Sequence, residues 1–391
     1  MIDPKLKDYA VTERQAEYLQ AVIDAGGIKP AARAMGVHHK TIQMVIRSCE
    51  ARAALKGYAP GHDLTHPVPD PFVVKGVSTY YDREGVARGQ WVKTKRDEAH
   101  AEALIRELVD HLVSDVRGLS PLIEPPEHVA ADLLAIYGIG DPHFGMYAWA
   151  DETGADFDLD TAERMTCGAI DRLVTSGPNA GTALLLNIGD FFHADDGTNR
   201  TPASGNQLDV DTRHAKVMQV GLRAMVHAIK RLLERHFRVI VWMMPGNHDP
   251  HSSFALALAL DAFFSNEARV EVDLSPGLYK YLRFGRVLIG AHHGHGAKFA
   301  DLPLIMATDR PEEWGATTSR YIYGGHIHHL TRKEWPGVVF ESLRTLAGPD
   351  AWHAGKGYRA GRDMQLIVHH KDFGEIERHR CDVAMLSAAA A

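Results

Sequence analysis

Histidine both ligates metals and carries protons near neutral pH, and in this chain it is clustered. Of 24 histidines, six (His292, His293, His295, His326, His328 and His329) fall within 38 residues. They follow two of five short apolar runs that each end in polar residues. Residues 133–139 lead into Gly140-Asp141-Pro142-His143, and 183–188 into Gly189-Asp190. Residues 239–244 lead into Pro245-Gly246-Asn247-His248-Asp249, 287–291 into His292-His293-Gly294-His295, and 321–323 into Gly324-Gly325-His326-Ile327-His328. The run ends offer Asp141, His143, Asp190, Asn247, one of His292 or His293, His326 and His328. Hard oxygens mixed with imidazoles, and no thiolate, suit a pair of manganese, iron or zinc ions better than magnesium or calcium. Asp141/His143 and His326/His328 are spaced i, i+2, so at strand spacing each pair faces one way. A carboxylate such as Asp190 can bridge two ions.

The apolar runs are short enough for buried strands, and segments with helical periodicity, such as 161–175 and 215–236, separate them. Strands alternating with helices predict an α/β sheet, and such sheets bind ligands beyond the carboxyl ends of their strands. No internal repeat interrupts the pattern.

In this order the motifs resemble those of the calcineurin-like metallophosphoesterases. The family pattern is D-x-H, G-D, G-N-H-D/E, a later H, and G-H-x-H. This chain has Asp141-Pro142-His143, Gly189-Asp190, Gly246-Asn247-His248-Asp249, His292/His293 and Gly325-His326-Ile327-His328. The resemblance covers about residues 132–370. It implies two sheets sandwiched between helices. It also implies one ion on Asp141, His143, Asp190 and His328, and a second on Asp190, Asn247, His293 and His326. His293 is preferred over His292 because His293-Gly294-His295 looks like the H-G-H of some members. Two such ions activate a water and offset charge during an in-line displacement. His248 matches the family histidine that assists the leaving oxygen, while His295 and His329 read as neighbours of the ligands.

Two departures bear on the substrate. Protein phosphatases of the superfamily carry G-D-x-x-D-R-G, whose Arg grips a phosphomonoester. Here those positions hold His193, Ala194 and Asp195, which argues against a protein phosphatase. Gly189-Asp190-Phe191-Phe192-His193 is instead similar to the G-D-x-F-H of the double-strand-break repair nucleases, where the His is catalytic. With the phosphatase Asp missing, Asp249 or Asp195 is left to orient His248.

The first 60 residues read as a small helical unit. Thr12 caps a helix with Gln15 three residues on, and Gly26-Gly27 ends it. A short helix over 30–35 stops at Gly36, and a third helix starts near Lys40, an order that resembles a helix-turn-helix. Residues 29–56 hold Lys29, Arg33, Lys40, Arg47, Arg52 and Lys56 against Glu50 alone. A hairpin is expected over 72–95, a helix over 96–116, and linkers over 59–71 and 118–127. Two stretches outside the metal motifs could touch a substrate. One is 199–213, with Arg200 and Arg213; the other is 344–362, with Arg344, Lys356, Arg359 and Arg362 around Trp352 and Tyr358.

Composition sets outer limits. The 391 residues are 45% hydrophobic and net −7, so binding of polyanions by bulk charge is excluded. Three scattered cysteines make no disulfide framework. The first residues lack a signal-peptide core, and no apolar run reaches a membrane span, so no membrane partner is expected. The expected fold class is α/β, a two-sheet β-sandwich flanked by helices, preceded by a small all-α helix-turn-helix domain. The domains are expected at 1–60, 61–130 and 131–391. The function expected is a cytoplasmic, bacterial or phage-encoded, dinuclear-metal phosphodiesterase acting on DNA. Its catalytic residues would be His248 and His193, its cofactors two divalent ions with manganese first, and its DNA contacts Lys40 and Arg47; self-association stays open. The rivals are a phosphomonoesterase or small-nucleotide phosphodiesterase, and a DNA-binding regulatory or packaging protein with a vestigial metal site.

Overall fold

A computed structural model describes residues 2–68, 72–83, 86–96 and 117–387. The chain divides into two compact units, Met1–Glu107 and Leu108–Ala391.

In the first unit three helices pack around one small core. α1 (Glu13–Ala25) begins where Thr12 Oγ1 accepts the Gln15 N–H at 3.2 Å. The return bond of a capping box goes one residue further out, because Gln15 Oε1 accepts from Val11 N at 3.0 Å. Gly26, at φ 64°, ends the helix in the left-handed conformation. α2 (Ile28–Ala34) and α3 (His39–Leu55) flank a four-residue turn. Ala31, Ala32, Ile42, Ile46, Cys49 and Ala53 are buried between them, the small alanines letting the helices approach. The opposite face of α3, with Lys40, Met44 and Arg47, is exposed. β1 (Phe72–Tyr81) and β2 (Ala87–Arg96) form an antiparallel hairpin. The helix expected over 96–116 falls outside the described residues, except Arg96, which ends β2.

The second unit contains two sheets. One has the order β13-β12-β3-β4-β5-β6, formed by β3 (Ala130–Ile139), β4 (Ala180–Asn187), β5 (Arg238–Met243), β6 (Val270–Val272), β12 (Asp363–His370) and β13 (Gly374–Asp382). Strands β3 to β6 are parallel, and β12 and β13 extend the sheet antiparallel. The other has the order β10-β11-β9-β8-β7, formed by β7 (Lys280–Phe284), β8 (Val287–Ala291), β9 (Ser319–Gly324), β10 (Thr331–Trp335) and β11 (Val338–Ser342). Here β8, β9 and β11 are parallel.

Alternation along each strand explains the layering. Leu134, Ile136, Leu184, Leu186, Ile240 and Trp242 face Val287, Ile289 and Tyr323 of the other sheet. Ala135, Tyr137, Ala183, Leu185, Val239 and Val241 face the opposite way. They pack on the helices Leu159–Ser176, His214–Leu233 and Ser252–Phe263. The second sheet buries Leu288, Ile322 and Phe340 against Leu302 and Met306 of the helix Leu302–Asp309. Strands covered on both faces must be apolar throughout, which is why the runs between motifs lack a clean polar alternation. Among the described residues no helix is long and apolar enough to cross a membrane.

Candidate metal centre

The five parallel strands β3, β4, β5, β8 and β9 run into the five polar clusters. Pairing continues past the strand ends and ties the clusters together. His143 N donates to Asp190 O at 3.1 Å, Phe144 N to Phe191 O at 2.8 Å, and Gly325 N to His293 O at 2.8 Å. The loops are packed so closely that motif glycines have no room for a side chain. A Cβ at Gly246 would lie 2.0 Å from Asp190 Oδ1, and one at Gly189 would lie 2.4 Å from His293 Nδ1. Asp141 (φ 38°), His143 (46°), Asp190 (47°), His326 (70°) and His328 (54°) all sit in left-handed backbone. Among the described residues only Asp63 and Asn199 are other non-glycine examples. Each such residue costs on the order of 1–3 kcal/mol and persists only where its surroundings impose it. Here the strain falls on the residues whose side chains converge.

The donor atoms form two neighbouring groups. His143 Nε2 and His328 Nε2 are 3.1 Å apart. His293 Nε2 lies 3.2 Å from Asp190 Oδ2 and 3.1 Å from Asn247 Oδ1. Donor atoms of Asp190, His293 and His326 lie within 4.8 Å of one another, as do those of His143, His193 and His248. Two nitrogens about 2.1 Å from one ion at the tetrahedral angle would be about 3.4 Å apart, close to the His143–His328 spacing. The neighbours of the ligands set their tautomers. His293 Nδ1–H donates to Ile188 O at 3.0 Å, which leaves Nε2 to ligate. His292 turns away, its Nδ1 accepting the Gly294 N–H at 3.0 Å and its ring stacked on Tyr279 at 4.6 Å. Asp141 accepts the His326 N–H at 3.0 Å, and its own carbonyl takes the Thr345 hydroxyl at 2.7 Å.

Electrostatics agree with a cation site. Burial holds His143 well below its usual range and takes His328 and His193 to about 3 and His326 to about 4, so each ring is neutral at neutral pH and keeps one nitrogen lone pair for a ligand. Burial raises Asp141 to about 7, with the Asp190 charge adding to it. Burial also opposes charge on Asp190 and His293, but their mutual attraction wins. Asp190 is held well below the carboxylate range and His293 is raised to about 9. Neutral imidazoles around buried carboxylates, with His293 as the raised histidine among them, are a donor set that a divalent pair would neutralise.

His248 is oriented differently from the sequence expectation. Its Nδ1–H donates to the His193 backbone oxygen at 2.8 Å, not to Asp249 or Asp195. Asp249 is buried and accepts from Phe192 N at 3.0 Å and Gly246 N at 3.1 Å. Asp195 accepts from His251 N at 3.0 Å and Ser252 N at 2.8 Å. The His193 ring is buried beside His143, Nδ1 to Nδ1 at 3.2 Å, and stacks on His248 at 5.3 Å. His295 stands 5.2 Å from His293, and His329 Nδ1–H donates to Ile327 O at 2.7 Å.

The two flanking stretches divide. Residues 199–213 line a cleft of about 580 Å³ that includes Asn199, Asp211 and Arg213, while Arg200 donates to Gly205 O. In 344–362 the basic residues do not form a track. Arg344 pairs with Asp363 at 2.7 Å, and Arg362 donates to Leu346 O. Sequence reasoning missed Asp350 and His353. Asp350 reads as an ordinary helix cap, and nothing local reveals that His353 stacks on His328 at 4.7 Å.

No protein-family model matches the chain, and no curated protein matches it in sequence. Among solved structures it is similar to a conserved protein from Streptococcus pneumoniae described as a predicted phosphoesterase. That match has 11% identity and a TM-score of 0.26, and covers 65% of this chain and 99% of that one. It is also similar to a dimetal phosphatase from Danio rerio, at 8% identity and a TM-score of 0.32, over 64% of this chain and 99% of that one. A third is the phosphopantetheinyl hydrolase of Mycobacterium tuberculosis, at 15% identity and a TM-score of 0.27, over 59% and 95%. Two packed sheets with five motif-bearing strand ends gathered around one cluster of donors are the arrangement that the resemblance to calcineurin-like metallophosphoesterases implies, and in this the chain is similar to that family.

Proposed function

We propose that the chain is a dinuclear-metal phosphodiesterase acting on DNA, a nuclease. The observation that carries the reading is the convergence of Asp141, His143, Asp190, Asn247, His293, His326 and His328, most of them in strained backbone, beside a histidine fixed for proton transfer. Asp141, His143, Asp190 and His328 would hold one ion, and Asp190, Asn247, His293 and His326 the other. When bound, such a pair, manganese in our reading, supplies Lewis-acid stabilisation of phosphate charge and a nucleophile at neutral pH.

The chain's own groups do the rest. Asp190 Oδ1 accepts the His248 N–H at 2.8 Å, so the residue that joins the two ligand sets also anchors the proton donor. The His193 carbonyl fixes the His248 tautomer with the proton on Nδ1, which leaves Nε2 to exchange a proton with the leaving oxygen. The His193 ring stacks on His248 at 5.3 Å and limits its rotation.

DNA as substrate draws support from the exposed Lys40, Met44 and Arg47 on one face of α3, from the Gly189–His193 motif, and from the missing phosphatase arginine. Three cysteines that form no disulfide suit the cytoplasm of a bacterium or a phage-infected cell. The test is a panel with Mn²⁺ and the full chain: bis-p-nitrophenyl phosphate, p-nitrophenyl phosphate, and labelled single- and double-stranded DNA. Cleavage of the diester and of DNA is expected. Turnover of the monoester alone would favour a small-substrate phosphatase, and DNA binding without any turnover would favour a regulatory protein.

A further inference from the structure

The row of rings on one side of the pocket does not end at His328. His353 lies over it at 4.7 Å, with the planes 21° apart. Asp350 fixes His353 from two directions, accepting its backbone N–H at 2.8 Å and its ring Nδ1–H at 2.7 Å. Two larger rings continue outward. Trp352 meets His353 edge-on at 4.9 Å, Tyr358 meets it at 5.1 Å, and the two outer rings are 6.0 Å apart. Trp352 is 59% exposed and Tyr358 38% exposed. Of their basic neighbours, Arg344 and Arg362 bond inward and Arg359 donates to the Ala354 and Tyr358 carbonyls, which leaves Lys356 as a single exposed cation between the two rings in sequence. The surface is therefore aromatic rather than a phosphate track.

We infer that Trp352 and Tyr358 form a ledge on which an unpaired nucleobase stacks, the base of a nucleotide whose phosphodiester lies at the metal pocket. The inference rests on the phosphodiesterase reading. Continuity names the occupant. The ledge reaches a metal-ligating ring through the single ring of His353, so a ligand whose phosphate is at His328 places its next planar group beside Trp352. Every base offers a π face, and stacking on an aromatic side chain is tolerant of sequence. A base inside a duplex already has both faces covered. The ledge therefore selects single strands, frayed ends or nucleotides, and Trp352 is a specificity residue rather than a catalytic one.

Two esters with one leaving group test this: thymidine 5′-(p-nitrophenyl phosphate) and methyl p-nitrophenyl phosphate, with Mn²⁺. The wild type should prefer the thymidyl ester through KM. Trp352→Ala should lower the thymidyl-to-methyl ratio of kcat/KM about ten-fold, and Trp352→Phe should restore much of it. With Mn²⁺ bound, thymidine 5′-monophosphate should quench wild-type tryptophan fluorescence and quench Trp352→Phe less, and Tyr358→Ala should weaken its binding. An unchanged ratio in Trp352→Ala, or equal quenching in wild type and Trp352→Phe, overturns the ledge and leaves the phosphodiesterase reading intact. A wild type that hydrolyses neither ester overturns that reading, and the ledge falls with it.

Discussion

The His248 ring is held by the His193 backbone carbonyl, 2.8 Å from Nδ1. A carbonyl can only accept, so the proton on this side of the ring stays on Nδ1 and Nε2 faces away from it. A role for His248 in proton transfer then separates from metal binding. His248→Ala is expected to keep two ions per chain while turnover falls about 10²–10⁴-fold. The deficit should shrink on p-nitrophenyl esters, whose leaving group needs little protonation. Metal analysis and kinetics on both substrate types check this, and a variant that loses an ion would make His248 a ligand.

Asp190 carries more than one duty, since Oδ1 accepts from His248 N and Oδ2 faces His293. Asp190→Asn keeps the shape but removes the buried negative charge. Loss of activity is expected, together with metal affinity weakened more than by His295→Ala. Calorimetric titration with Mn²⁺ measures the order. Equal occupancy of both sites in Asp190→Asn would overturn the bridging assignment.

Gly246 tests the packing of the motif loops. Its Cβ would come within 2.0 Å of Asp190 Oδ1, although its φ lies outside the left-handed region. The clash is thus with a ligand, and relief requires Asp190 to move. Gly246→Ala should lower stability by about 1–3 kcal/mol, as overpacking does, and should weaken Mn²⁺ binding. Urea unfolding and metal titration on the same preparation read both.

The residues that meet at the centre are those the strand-end pattern picks out. Metal chemistry restricts residue type, and parallel strands deliver their ends to one place. Asp141 and Gly246 are legible for that reason, and the Thr12 cap because it is local. The His248–His193 bond is not, because a backbone carbonyl has no residue-type signature. The stacking of His353 on His328 is equally hidden, since it depends on how the loop before β12 folds back. The Arg344–Asp363 pair is hidden for a related reason: charge in sequence does not reveal which groups are paired.

Acid stability has a traceable source away from the centre. His236 is fully buried, its Nδ1–H donating to Ala180 O at 2.9 Å and its Nε2 accepting from Tyr137 OH at 2.9 Å. Burial lowers it to about 4. The unfolded chain protonates near pH 6.5 while the fold resists, so stability is full above that pH. It falls as the pH drops from about 6.5 to about 4, by about 3 kcal/mol from this group. His236→Gln should be less stable at pH 7 but show a shallower fall toward pH 4.5, measured by denaturant titration. Parallel curves would remove His236 as the source.

The last prediction concerns α3. Ile42, Ile46 and Cys49 face the core of the first unit, which leaves Lys40, Met44 and Arg47 exposed together on the other side. If that face contacts DNA, each neutralised phosphate releases counterions, and log K falls with log salt by about 0.9 per contact. Replacing Lys40 and Arg47 with Gln should reduce the slope by about 2 and weaken duplex binding most at low salt. Hydrolysis of bis-p-nitrophenyl phosphate should be unaffected, because every proposed ligand lies beyond residue 140. Deleting residues 1–60 should have a larger effect of the same kind. Filter-binding or anisotropy at several salt concentrations measures the slopes. An unchanged slope in the double variant would turn α3 from a nucleic-acid surface into a protein contact, and DNA as the substrate would then rest on the Gly189–His193 motif and the aromatic ledge.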